Sequence, residues 1–136
     1  MDNIKAELFN YSKKLYKGIE NQLKRADRDI ITAADGRLKI GHEGAKKGSF
    51  IYLLYDKNDK LLYVGETGET IKKRLKSHGS GSHSVKNSEM FNNVSYIKYL
   101  KTEKANALSP MERKMIEQAF TIHLKPKYYN GQVWKY

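Results

Sequence analysis
The stretch FIYLLYDKNDKLLYVGETGETIKKRLKSH, residues 50–78, decides the fold. It opens on an apolar, aromatic-rich run, Phe50 to Tyr55, and passes through a polar segment, Asp56 to Lys60. A second apolar run, Leu61 to Val64, stops at Gly65. Two β-prone runs around a short Asn/Asp-rich loop predict a β-hairpin. Glu66-Thr67-Gly68-Glu69 follows, and then a short basic helix from about Thr70 to Ser77. Thr70 suits the N-cap, where its hydroxyl accepts from a free N–H of the first turn. Arg74 and His78 are four residues apart and so share a helical face.

Outward from this stretch the pattern is less dense. Ile4, Leu8, Tyr11, Leu15, Ile19 and Leu23 recur at three- and four-residue steps, which predicts one amphipathic helix over residues 3–26. Lys5, Lys13, Lys14, Lys17 and Lys24 fill its other side. The plain reading packs the apolar stripe on the domain and leaves the lysines in water. A sharper one makes the helix a nucleic-acid backbone tracker, and a third makes it the helix of a homodimer. Residues 27–49 read as a connector, with turns signalled at Asp35-Gly36, Gly41, Gly44 and Gly48. Asp29 to Ala34 either extends the helix or starts another, and Leu38-Lys39-Ile40 suits a short strand. His42-Glu43, isolated in a Gly-rich loop, reads as surface.

Beyond His78, residues 79–88 are rich in Gly and Ser, a flexible connector by composition. Val94 to Leu100 is β-branched and aromatic and predicts a third strand. Ser109-Pro110-Met111-Glu112 then carries a full helix start: Ser as N-cap, Pro in the first helical position, Glu completing a capping box. That helix should run to about Leu124 and stop before Pro126. Met111, Met115, Ala119 and Ile122 form its apolar stripe, widened by Ile116, Phe120 and Leu124, with Glu117 at the margin. The tail, Lys127 to Tyr136, is aromatic and reads as packing on the sheet.

Composition narrows the function. The chain has 136 residues, enough for one core: an N-terminal helix and connector over 1–47, then the main domain over 48–136. It has no Cys, which removes disulfide frameworks and Cys-based zinc sites. No signal peptide is evident and no apolar run approaches the ~20 residues needed to cross a bilayer, so a cytoplasmic protein without a membrane partner is expected. A formal net charge of +11 favours a polyanionic partner such as nucleic acid.

The central stretch resembles the GIY-YIG nuclease family. The first half of that signature appears as Phe50-Ile51-Tyr52, with Phe50 where the family usually has glycine, and the second half as Tyr63-Val64-Gly65. Ten residues separate Tyr52 from Tyr63, a normal spacing for the family. The family arginine matches Arg74, and a histidine four residues later, present in some branches, matches His78. The family's metal-binding glutamate, in its late helix, matches Glu117, nine residues before Pro126. Its asparagine matches Asn130, one residue further from the proline than usual. The resemblance covers about Gly48 to Asn130. It implies an α+β fold, a small three-stranded antiparallel sheet flanked by helices, here with an extra N-terminal helix.

It also implies a metal-dependent endonuclease acting on double-stranded DNA, and its catalytic set would be Tyr52, Tyr63, Arg74, His78 and Glu117. Glu117, a hard oxygen ligand, would hold one Mg²⁺ or Mn²⁺. Arg74 can clamp phosphate oxygens and stays charged at any relevant pH. Either tyrosine could activate water if nearby positive charge favours its phenolate. His78 could orient, deprotonate or contact phosphate. Lys72, Lys73, Lys76 and Asn130 would bind the nucleic acid. Each residue alone has a plainer reading: strand tyrosines as core filling, Arg74 as one charge of a solvated run, Glu117 as an exposed helix residue, His78 as a helix-end cation. Their joint spacing lifts the functional reading. A non-catalytic nucleic-acid-binding protein and an RNA-directed nuclease are the competing readings.

Overall fold
The computed structural model describes residues 3–27, 47–71, 90–129 and 132–135. The predicted hairpin is its centre. β2 (Ser49–Tyr55) and β3 (Leu61–Thr67) pair antiparallel, with Leu53 opposite Val64 and Tyr52 opposite Gly65. Asp56 shapes the turn: its Oδ1 accepts from Asn58 N at 2.8 Å and from Lys60 N at 2.9 Å. Asp59 takes the left-handed conformation there, φ 62°, which Asp tolerates better than most residues. The register slips between Leu54 and Tyr55, so Leu62 is an extra residue on β3. This bulge turns Leu62 to the face of Tyr63, while Leu61 and Val64 point to the other.

The sheet has four strands in the order β1-β4-β2-β3, every neighbour antiparallel. β4 (Tyr96–Thr102) is the expected third strand, displaced two residues toward the C-terminus. β1 (Lys24–Asp27) was not expected. The predicted helix over 3–26 is in fact α1 (Ile4–Glu20), and the chain then turns through Asn21 and Gln22. Gln22 Nε2 donates to Gly18 O at 3.0 Å, which finishes the helix end. Residues 24–27 leave the helix because β4 would otherwise present a bare edge of backbone donors and acceptors. Ala26 is the only buried residue of β1, and it joins the sheet core.

Both faces of β2 are covered, as its unbroken apolar run requires. On one face Phe50, Tyr52 and Leu54 pack with Ile97, Tyr99, Ile71, Met90, Val94 and Tyr128. On the other, Ile51, Leu53 and Val64 pack against α2 (Pro110–Leu124) through Ile116, Ala119 and Phe120, and against Tyr16 of α1. The predicted capping box of α2 is present: Ser109 Oγ accepts from Glu112 N at 3.2 Å, and Glu112 Oε1 accepts from Ser109 N at 2.9 Å. The helix ends at Lys125, left-handed with φ 50°, before Pro126.

The stripes on both helices are rotated from expectation. On α2 the residues expected to widen the stripe, Ile116 and Phe120, are buried, whereas Met111, Met115 and Ile122 are exposed. On α1 Ser12 and Tyr16 are the buried residues, and Ile4, Leu8 and Tyr11 are exposed. Ser12 Oγ lies 2.7 Å from His123 Nε2, and the His123 ring stacks on Tyr16 at 5.0 Å. Leu15 and Ile19 of the predicted stripe pack half-buried on this core, and the polar and aromatic contact of Ser12 and Tyr16 with His123 completes the seat of α1 on α2.

Past α2 the chain crosses the outer edge of β3. Lys127 N donates to Leu61 O at 3.1 Å, and Tyr128 is buried on the Tyr52 face. A two-residue pair, β5 (Tyr128–Tyr129) with β6 (Gln132–Val133), completes the described tail. Trp134 sets its edge against Tyr129 at 5.1 Å. The expected packing of the tail thus holds for Tyr128, while Trp134 is exposed.

Candidate active site
Tyr52 and Tyr63 come from adjacent strands and point to the same face of the sheet. Their ring centroids are 6.2 Å apart, tilted by 43°. Tyr52 is fully buried and Tyr63 half-buried. Tyr52 reaches this position because its cross-strand partner is Gly65. A Cβ there would lie 2.7 Å from Tyr52 Cε2 and closer still to Cζ and Oη. Gly65 is therefore required by the tyrosine ring that lies over it.

Phe50, standing where the resemblance implies glycine, is also fully buried. Its ring leans on Tyr99 at 6.5 Å, and Lys101 sets Nζ 5.5 Å from its centroid, within cation–π range. Lys101 can cross there because Gly48 has no side chain: a Cβ would meet Lys101 Cε at 2.7 Å. Phenylalanine thus fills this part of the core and leaves Tyr52 in place.

Glu117 sits on α2 near the outer edge of β3, where the chain crosses from one layer to the other. The sequence placed it at the margin of the apolar arc; the structure buries it. Lys114 Nζ donates to its Oε2 at 3.4 Å and Gln118 Nε2 to its Oε1 at 3.3 Å. Gln118 Nε2 also reaches Tyr129 Oη at 3.4 Å. Burial pushes the Glu117 carboxyl above the usual carboxylate range, against the pull of Lys114, and nearby Glu66 adds to the rise.

Glu66 directly follows Gly65 and brings a second carboxylate to the same edge. Arg113 Nε donates to its Oε2 at 2.7 Å, and Arg113 Nη1 donates to Leu108 O at 2.8 Å. Gly68 leaves room for that guanidinium: a Cβ there would stand 2.9 Å from Arg113 Nη2. Lys114 also approaches Glu66 Oε1 at 3.6 Å. Partial burial works against the Lys114 ammonium, but Glu117, Glu66 and Tyr63 together hold its pKa above the ordinary value. Glu66 of the sheet and Glu117 of the helix therefore share one cation.

Of the residues singled out in the sequence, Tyr52, Tyr63 and Glu117 are described: the two tyrosines share one face of the sheet, and Glu117 stands on α2, which packs against the other. Arg74, His78, Lys72, Lys73, Lys76 and Asn130 lie outside the described residues, as do His42-Glu43, Leu38 to Ile40, Asp29 to Ala34 and the 79–88 connector. Of the basic helix only Thr70 and Ile71 are described; Ile71 is helical and buried against the Tyr52 face. Glu66, Arg113, Lys114, Gln118 and Tyr129 were not singled out. Lys114 could have been, since it stands three residues before Glu117 and so faces it on a helix. The pairing with Glu66 is long-range and leaves no local signal.

Among the described residues no three His, Cys, Asp or Glu side chains gather as a metal cage. A buried carboxylate with a second carboxylate near it still fits a hard cation that keeps most of its waters and takes oxygens from a substrate, as Mg²⁺ does. It does not fit a zinc site closed by protein ligands.

The antiparallel sheet carries paired tyrosines on adjacent strands, and a buried glutamate stands on the helix behind it. The family model of the GIY-YIG catalytic domain matches residues 48–128. The chain belongs to the GIY-YIG family: it carries a nuclease domain, and its substrate is a nucleic acid. No helix among the described residues is long and apolar enough to cross a membrane.

Proposed function
We propose that this protein is a metal-dependent endonuclease that hydrolyses phosphodiester bonds in double-stranded DNA. The observation that carries the reading is the buried Glu117 carboxylate, linked through Lys114 to Glu66 on β3, the strand that carries the half-buried Tyr63. Residues 48–136 carry the chemistry, and 1–47 are an accessory segment, of which α1 packs on α2 and β1 pairs with β4. The protein acts in the cytoplasm.

Hydrolysis needs an activated water, neutralised phosphate charge and a protonated leaving group. Tyr63 is the tyrosine with solvent access and takes the role of activating water, while fully buried Tyr52 holds Tyr63 in position. Arg74 stabilises the charge that develops on the phosphate oxygens. His78 contacts the phosphate or moves a proton, and Lys72, Lys73, Lys76 and Asn130 bind the backbone. Glu117 holds Mg²⁺ or Mn²⁺, which supplies Lewis-acid stabilisation when bound.

Cleavage of supercoiled plasmid with Mg²⁺, Mn²⁺ or chelator, run beside Glu117→Ala, tests this. Metal-dependent cleavage that is lost in the variant, with DNA binding retained, is the expected result. Tight binding without cleavage would instead select the non-catalytic reading, and cleavage of RNA but not DNA the third. Arg74→Ala should lose far more rate than Lys76→Ala. Equal small losses would reduce Arg74 to one phosphate contact among several.

A further inference from the structure
The Glu117 carboxylate already has a cation beside it. Lys114 Nζ stands 3.4 Å from Glu117 Oε2 and 3.6 Å from Glu66 Oε1, so one ammonium bridges a carboxylate of the helix and a carboxylate of the sheet. The two anions are fixed. The Glu117 side chain is 10 % exposed and the Glu66 side chain 18 %, and Glu66 is tied down by Arg113 at 2.7 Å. The cation is not fixed: the Lys114 side chain is 58 % exposed and hangs on a flexible stem. Both contacts are long for charge-assisted hydrogen bonds. A mobile ammonium between two anchored carboxylates is exchangeable, and any second cation that approaches Glu117 Oε2 meets it first.

We propose that Lys114 is a resident competitor of the divalent ion, compensating Glu66 and Glu117 in the metal-free protein and yielding its place when the metal arrives. Lys114 is then a residue that sets metal affinity without touching the substrate. Arg113 plays no part in the exchange, because its half-buried guanidinium is held by both Glu66 and Leu108. The inference rests on Glu117 as the metal ligand.

Direct titration of Mn²⁺ without DNA tests it, with free aquo-Mn²⁺ read by electron paramagnetic resonance. Four proteins are compared: the natural chain, Lys114→Met, Lys13→Met and Glu117→Gln. Lys13 is exposed on α1, so its loss controls for net charge alone. Removing a partly screened counter-ion should tighten Mn²⁺ binding by roughly fivefold in Lys114→Met. Lys13→Met should match the natural chain, and Glu117→Gln should bind little. Unchanged or weaker binding in Lys114→Met, with Glu117→Gln defective, overturns the competitor and leaves Glu117 as ligand. Equal tightening in both lysine variants also overturns it, because net charge then accounts for the effect. Undiminished binding in Glu117→Gln overturns the metal reading of Glu117 and the inference with it.

Discussion
Tyr52 lies directly over Gly65, its partner across the β2–β3 ladder. The two halves of the family signature are thus one packing unit: the second supplies the gap that the first fills. Gly65→Ala would push a methyl group into the Tyr52 ring. Overpacking a fully buried site costs about 1–3 kcal/mol, and the displaced ring would also shift its neighbour Tyr63. The expected result is a lower urea midpoint together with a large loss of cleavage. A double-mutant cycle with Tyr52→Leu isolates the contact, since the smaller side chain should relieve part of the cost of Gly65→Ala. Strict additivity of the two changes would show that the ring has another place to go.

Phe50 poses the converse question, because it fills space where the family pattern has glycine. It is fully buried, leans on Tyr99 and lies under the Lys101 stem. Phe50→Ala should cost about 3–5 kcal/mol, the range for deleting a buried phenyl ring. A cost below 1 kcal/mol in urea unfolding would mean that the neighbours collapse into the gap.

What the sequence revealed was what local chemistry encodes. The β2–β3 hairpin shows in its Asn/Asp turn, and α2 shows in Ser109, Pro110 and Glu112, because caps and turns are decided within a few residues. β1 does not show, since Lys24-Arg25-Ala26-Asp27 has weak strand propensity and pairs only because the edge of β4 needs it. The exposed Met111, Met115 and Ile122 mislead for a related reason: the side of α2 that is buried depends on α1 and on the sheet, not on periodicity alone. For the candidate site, spacing singled out Tyr52, Tyr63 and Glu117. Glu66 stayed hidden because its partner Arg113 is 47 residues away in the chain.

That long-range pair should matter far more than the surface ion pairs. Arg113 and Glu66 are 12 % and 18 % exposed and 2.7 Å apart, and Arg113 also holds Leu108 O. Losing Arg113 strands a carbonyl and takes from Glu66 the nearer of its two cations among the described residues, leaving the looser Lys114. Arg113→Met should therefore cost about 2–3 kcal/mol. Lys17, paired with Glu20 on the open surface of α1 at 3.3 Å, should tolerate the same change with little effect on the urea midpoint. Urea unfolding of both variants gives the comparison. Equal effects would mean that burial confers no advantage on the Glu66 pair.

The far end of the sheet gives a dependence on pH. Tyr96 stacks on Tyr55 at 4.9 Å with the rings nearly parallel, and Arg25 covers its other side with Cζ 3.8 Å from the ring. Its hydroxyl donates to Asp59 Oδ1 at 2.7 Å. Burial is the main cause, with Asp59 second, and together they push the Tyr96 pKa up to about 12, against the pull of Arg25. The folded state therefore holds this proton more tightly than the unfolded chain, whose tyrosine titrates near ~10. The stabilisation is complete below pH ~10 and is lost as pH rises from there through about 12. Tyr96→Phe cannot ionise and loses the Asp59 bond at every pH. The natural chain should therefore be more stable at neutral pH, by about 1 kcal/mol, and the advantage should shrink or reverse as pH approaches 12. Urea midpoints of both proteins between pH 8 and pH 12 measure this difference, and the variant cancels the other titrating groups. A constant gap across that range would mean that Tyr96 ionises no later in the fold than in the unfolded chain.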